Sequence, residues 1–375
     1  MKINSHIIME PSIYSHSLFI ALPLMLFFGF YFLLARIPGK AIFGNYLRSR
    51  RIMGTALLLL AANYSVHLFF GIRFKNTNAA ILMNLSTYFL CYWLFSSALI
   101  TLLDRFYITR RRLRTHISLW AIFSILSCVV LLLLPGGVLQ TTALFALAAW
   151  LVTYGFVLSR RLILAYNRAI RIFSETYSDD IGAYIKWLSI FTWWAVIFGV
   201  GCGLLTFLPD EYVYIWILSS IPFYGYLFYS YQNYMMFYEQ VERTLEMENA
   251  PEDDDEKAEK ESPVYFDGIE SSLTPWLESK GYTQSGFTIQ DMAKALGTNR
   301  TYLNAYIKDK YHATFCDWIT GLRLEYAKDM LKDHPEMSTQ KIAESSGFLS
   351  RSYFIKSFTE KEGCTPSQWK KHSLT

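Results

Sequence analysis

Two short stretches carry side chains whose types and spacing suit recognition of a polyanion. In TNRTYLNAYI, Arg300, Thr301 and Asn304 fall together on one side of a helical pattern, and in SRSYFIKSF, Arg351, Ser352 and Lys356 do the same. Cations and hydroxyl or amide groups on one helix face can bind phosphate oxygens or base edges of nucleic acid without bond-making chemistry. Covalent chemistry finds no comparable constellation. The motifs HExxH, GxSxG and a P-loop are absent, and the five cysteines at 91, 128, 202, 316 and 364 have neither metal-ligand spacing nor a disulfide framework. Reduced thiols, no metal, no cofactor and no enzymatic activity are the expectation.

Each reading stretch is preceded by a short helix and a glycine. Before the first, Ile289, Met292, Ala293 and Leu296 recur at helical spacing and Gly297 breaks the pattern. Before the second, Ala343 sits four residues ahead of Gly347, as Ala293 does ahead of Gly297. A small residue lets two helices cross closely, and a glycine supplies a positive φ at the turn, so the spacing predicts helix-turn-helix units over 288–310 and 338–362. Tyr302, Leu303, Tyr306 and Ile307, then Tyr353, Phe354 and Phe358, form the inward stripes. Thr288 with Asp291 reads as an N-cap and its partner, Phe287 with Met292 as a hydrophobic staple, and Thr365-Pro366 as the start of a last helix. Between the units, Thr314 to about Asp333 reads as one helix with Trp318, Ile319, Leu322, Leu324, Ala327 and Leu331 inward. A helix of about 20 residues is roughly 30 Å long, close to the roughly 34 Å between successive major grooves on one face of B-DNA.

The pattern GTNRTYLNAYI, the long helix with DWITGLRLEYAKDML, then IAESSGF, SYFIKSF and GCTPSQW resembles the DNA-binding domain of AraC-type transcription regulators. The resemblance implies one all-α domain with two helix-turn-helix units, its helices near Asn299 and Ser350 entering the major groove of promoter DNA, and RNA polymerase as a further partner. Ala305 stands where many relatives carry a long polar side chain, which weakens base reading by the first unit. From Val264 onward 14 Lys and Arg face 13 Asp and Glu, and the cations Arg351, Lys356, Lys361, Lys370 and Lys371 gather at the end, so the second unit is expected to dominate.

The preceding 235 residues are of another kind. The chain is 53% apolar and 17% aromatic over 375 residues, and the excess lies in this part. Seven stretches are long enough to cross a bilayer: Leu18 to Ala35, Ile52 to Ile72, Ala79 to Leu103, Ile117 to Leu134, Val138 to Leu158, Trp187 to Leu208 and Tyr212 to Tyr231. The connections 36–51, 104–116 and 159–186 each hold five Lys or Arg, whereas the opposite ends hold only Lys2, Arg73 and Lys75. Basic loops stay cytoplasmic, so the N-terminus is expected outside and the C-terminal domain in the cytoplasm, anchored to the inner membrane. The expected fold is all-α: a seven-span bundle over 1–235, a helical exit and acidic linker over 236–263, and the DNA-binding domain over 264–375.

Within the spans, Asn63, His67 and Asn84 are the polar residues whose exposure to lipid would cost most, with Ser65 and Thr87 close by. They suit interhelical hydrogen bonds or a ligand pocket, the ligand itself being unknown. Gly199, Gly201 and Gly203 suit helix packing. The stretch RRLILAYNRAIRIF in the longest connection reads as a topology signal, an interfacial helix on the lipid surface, or a docking site for the cytoplasmic domain. Beyond the last span, Tyr234, Phe237, Val241 and Leu245 recur at near-heptad spacing, a short seam for a homodimer. Between Glu239 and Glu261 there are 11 acidic and three basic residues, a composition that favours disorder. The expectation is therefore a membrane-anchored regulator acting through the direct helical exit or through cleavage in 248–263, with a transporter or membrane enzyme carrying a regulatory appendage as the alternative.

Overall fold

A computed structural model describes residues 13–37, 43–179, 182–248 and 268–373. Their regular elements are helices, with no β-strand among the described residues and one isolated antiparallel bridge, Tyr177 to Thr288. They divide into two compact units, one within Met1–Asn167 and Ile185–Glu239, the other within Arg168–Tyr184 and Gln240–Thr375.

The first unit contains α1 (Ile13–Leu34), α2 (Gly44–Phe70), α3 (Ile72–Lys75), α4 (Thr77–Thr101), α5 (Arg110–Leu133), most of α6 (Val138–Thr176), α7 (Gly182–Leu205) and α8 (Asp210–Glu248). Five of these, α1, α2, α4, α5 and α6, are long and apolar enough to cross a membrane. The sixth and seventh expected spans fall in α7 and α8, of 24 and 39 residues. Large apolar side chains such as Phe19, Phe27, Ile125 and Leu132 point outward, the arrangement a hydrocarbon solvent favours. Local chemistry sets the helix boundaries. Asn76 caps α4 and Thr109 caps α5 by accepting the Ala79 and Arg112 N–H groups at 3.0 and 3.2 Å, each a donor with no partner inside its helix. Gly71, at φ 57°, ends α2 by returning its N–H to the His67 carbonyl. Helices α1 and α2 approach at Gly54, where an added Cβ would stand 2.9 Å from the Gly29 carbonyl oxygen.

The second unit contains a helix at 268–278 (α9), a 3₁₀ turn at Gly281–Thr283, α10 (Ile289–Ala295), α11 (Arg300–Tyr311), α12 (Phe315–Asp333), α13 (Thr339–Ser345), α14 (Arg351–Glu362) and α15 (Pro366–Ser373). Its core has two parts. Ile289, Met292, Leu303 and Ile307 pack with Phe315, Trp318 and Ile319, while Ile342, Ala343, Phe354 and Phe358 pack with Leu324, Ala327 and Leu331. Helix α12 therefore gives its first half to one core and its second half to the other, which fixes the two helical pairs on one rod. Leu322, expected inward, is half-buried at the edge of the first core.

Two sequence expectations change here. The stretch RRLILAYNRAIRIF is no separate interfacial helix: α6 runs through it without a break to Thr176, and residues from Arg168 onward group with the second unit. Tyr234, the first position of the supposed dimer seam, is buried in its own unit against Tyr46, Trp187 and Tyr238. The side chains of Phe237, Val241 and Leu245, and the acidic linker from residue 249 onward, lie outside the described residues.

Candidate nucleic-acid interface

Short-range chemistry builds each helix-turn-helix pair. Thr288 accepts the Asp291 N–H at 3.2 Å while the Asp291 carboxylate accepts the Thr288 N–H at 3.0 Å, a reciprocal capping box. Asn299 and Ser350 cap the two reading helices by accepting the Tyr302 and Tyr353 N–H groups at 2.8 and 3.2 Å. The turns hinge on Gly297 at φ 68° and Gly347 at φ 86°. Gly347 has a second reason to lack a side chain, since a Cβ there would lie 2.4 Å from the Thr283 carbonyl oxygen. Ala293 and Ala343 are both buried at their crossings.

The reading faces differ in exposure. Arg351, Ser352 and Lys356 on α14 are exposed, and Lys356 stands 3.9 Å from Glu360 in a loose pairing. On α11, Arg300, Thr301 and Asn304 are half-buried, and the Asn304 Oδ1 is shut away from solvent with no hydrogen-bond partner. Tyr353, expected fully inward, is half-buried, its hydroxyl 3.1 Å from Thr320 Oγ1 on α12. Helix α14 is also tied to α12 by charge: Lys328 reaches Glu325 at 2.7 Å and Glu362 at 3.2 Å, and Lys361 reaches Glu325 at 3.6 Å. The hydrogen bond from Lys328 holds the Glu325 carboxyl below the usual range, and Glu325 in turn holds the Lys328 ammonium above its own.

The sequence reading missed the most connected pair in this unit. Arg323, fully buried on α12, donates through Nε to the Tyr282 carbonyl at 2.8 Å and through Nη2 to the Gln284 carbonyl at 2.7 Å and Ser178 Oγ at 3.2 Å. Its Nη1 donates to the Ser178 carbonyl and Asp179 Oδ1, both at 3.0 Å. Asp179 also accepts the Gly286 N–H at 3.0 Å and the Leu349 N–H at 3.3 Å. Burial pulls the guanidinium pKa down and the Asp179 charge pushes it back up. A trace of Arg323 was present in the sequence: it stands four residues after Ile319 and four before Ala327, on the apolar stripe of α12. Its partner, 144 residues away, left none.

In the first unit, the polar residues of the spans form a hydrogen-bonded knot. His67 Nε2 lies 2.8 Å from Asn84 Oδ1, His67 Nδ1 lies 2.9 Å from the Tyr14 hydroxyl, and Asn84 Nδ2 donates to Thr206 Oγ1 at 3.2 Å. Asn63 stands apart, donating to Thr87 Oγ1 at 3.0 Å. The knot joins α1, α2 and α4 to the residues after α7, as interhelical hydrogen bonds do. Gly201 packs against Trp216; the surroundings of Gly199 and Gly203 lie outside the described residues. Among the described residues no group of three His, Cys, Asp or Glu could hold a metal ion.

A family model described as a helix-turn-helix domain matches residues 292–372. The virulence regulon transcriptional activator VirF of Yersinia enterocolitica is 33% identical over 99 residues, 26% of this chain and 35% of its own length. The HTH-type transcriptional regulator ExsA of Pseudomonas aeruginosa is 32% identical over 80 residues, 21% of this chain and 28% of its own. The uncharacterized HTH-type regulator YtdP of Bacillus subtilis is 29% identical over 87 residues, 23% of this chain and 11% of its own. The chain thus spans about a third or less of the curated relatives it matches, and no solved structure matches it. With two capped helical pairs on one shared rod and the family model matching residues 292–372, the C-terminal part of the chain is a DNA-binding helix-turn-helix domain of the AraC type.

Proposed function

We propose that the chain is a membrane-anchored transcription regulator that binds promoter DNA sequence-specifically through α11 and α14 and is gated by a signal reaching the membrane bundle. The observation that carries the DNA reading is the exposed outer face of α14, where Arg351, Ser352 and Lys356 stand clear of the core on a helix capped at Ser350. Arg351 and Lys356 supply charge to phosphate or base edges, Ser352 a hydroxyl, and α12 spaces α14 from Arg300, Thr301 and Asn304 on α11. RNA polymerase is the expected downstream partner. The membrane reading is supported by the five long apolar helices, by the lengths of α7 and α8, and by the basic connections on one side. Seven spans put the N-terminus outside and the DNA-binding domain in the cytoplasm.

The test is selection of duplexes from a random library by the full-length protein in detergent, followed by footprinting. Arg351→Ala with Lys356→Ala should abolish the protected site. A footprint that survives both substitutions refutes the reading of α14. Reporter fusions after Leu208 and after Thr375 test the topology, and an external position for the second refutes it.

A further inference from the structure

The end of α6 and the turn after it, Ile170 to Asp179, belong to the same compact unit as the helix-turn-helix pairs. Their contacts fall on the side where the reading residues lie. Glu175 pairs with Lys308 at 2.7 Å. Lys308 is one turn beyond Asn304 and two beyond Thr301 on α11, hence on their face. Ile170, Phe173 and Ser174 share with Thr320 of α12 and with Tyr353 and Lys356 of α14 a groove of about 470 Å³. Phe173 is 1% exposed. Asp179 holds the Leu349 N–H, immediately before the cap of α14, and the Gly286 N–H, just before the first helical pair. The Ser178 N–H donates to the Phe287 carbonyl at 3.1 Å, beside the Tyr177 to Thr288 bridge.

From these contacts we infer that Ile170–Asp179 is an internal competitor for the DNA-binding face, and that this arrangement of the second unit excludes duplex DNA. For two reading helices to enter successive grooves, the phosphate backbone between those grooves must pass the stretch of α12 that separates them. Thr320 lies on that stretch and lines the groove whose other wall is the α6 end. Glu175 and Asp179 bring carboxylates to a cation and to backbone N–H donors that are free to meet phosphates only once the segment has left. Opening the face requires Phe173 to leave its buried position and the Asp179 to Arg323 pair to part.

The inference rests on the DNA-binding reading above, and its test separates the two. Tyr177 and Thr288 are bridge partners, and the Cα separation of such a pair, about 4.5 to 5.5 Å, lies within the range a disulfide spans. In full-length protein in nanodiscs, with the five native cysteines replaced, Tyr177→Cys with Thr288→Cys locks the segment on oxidation and frees it on reduction. Binding is read by fluorescence anisotropy with a duplex selected from a random library by the reduced form. Oxidation should weaken binding at least tenfold and reduction restore it, and Asp179→Ala without the cysteines should bind more tightly than wild type by a similar factor. Equal binding in the oxidised and reduced forms, with wild-type affinity for Asp179→Ala, overturns the exclusion and leaves the DNA reading standing. Recovery of no duplex by the reduced form, by wild type or by Asp179→Ala overturns both.

Discussion

Arg323 Nη1 and Asp179 Oδ1 stand 3.0 Å apart with side chains 0% and 3% exposed, so two opposite charges far apart in the chain are buried together. Such a pair is weak evidence of net stabilisation, because desolvation opposes the attraction, yet removing one member leaves a buried charge and costs about 3–5 kcal/mol. Asp179→Ala should therefore loosen the docked turn. The loss is capped by the free energy of docking, since the chain can release the turn and hydrate Arg323 instead of unfolding. Hydrogen exchange is the measurement: the Gly286, Leu349 and Ser178 amides should exchange at least tenfold faster, while those inside α12 change little.

The two turn glycines should respond unequally to alanine. Gly297 has a positive φ but nothing near a new Cβ, so Gly297→Ala meets only the left-handed strain of about 1 kcal/mol. Gly347 adds the Thr283 carbonyl at 2.4 Å from that Cβ, backbone that cannot swing aside. Gly347→Ala should lower the stability of the domain by at least 2 kcal/mol more than Gly297→Ala. Thermal unfolding of the two full-length variants decides this, and equal midpoints would contradict it.

The Glu325 network gives a pH dependence of known sign. Its folded pKa is lowered by the Lys328 hydrogen bond, so its contribution is present above the unfolded carboxylate value, roughly 4.3, and disappears as pH falls through the folded one. Lys328 is raised by Glu325, so its contribution is present below about 10.4 and is lost as pH climbs through the folded value. Glu325 is largely exposed, and screening keeps the effect to under about 1 kcal/mol. Comparing Glu325→Gln with wild type, the stability difference should be constant between pH 6 and 9 and shrink below pH 4.

In the first unit, His67→Ala would remove two hydrogen bonds at once, those to Asn84 Oδ1 and to the Tyr14 hydroxyl. Hydrogen bonds between membrane helices average below 1 kcal/mol each and reach about 2. A fall in thermal midpoint of a few degrees in detergent is expected, and Asn63→Ala, with one bond to Thr87, should do less. An unchanged midpoint for His67→Ala would show that the knot contributes nothing to packing.

What the sequence disclosed follows the range of the interactions. Caps, turn glycines and crossing alanines are set by residues three to ten positions apart, and Thr288, Asn299, Ser350, Gly297 and Gly347 all sit where the pattern puts them. The inward stripe of α12 was legible for the same reason. The fate of residues 159–176 was not. Arg160 and Arg161 mark where an apolar run stops, but a helix stops only where its backbone hydrogen bonding does, and nothing between Leu158 and Thr176 interrupts it. The half-burial of Arg300, Thr301 and Asn304 was equally hidden, because periodicity gives the face of a helix and says nothing of how much of that face its surroundings cover.

An unbroken α6 has a geometric corollary. In a continuous α-helix the azimuth of Phe173 is locked to that of Ala169, both buried, with each residue between them adding about 100° and 1.5 Å. One alanine inserted after Ile170 would swing Phe173 by more than a quarter-circle from Ala169, whereas four would carry it almost back to its bearing about 6 Å further along. The end of the helix thus behaves as a key, and the phase of its last two turns decides whether Phe173 keeps its buried bearing.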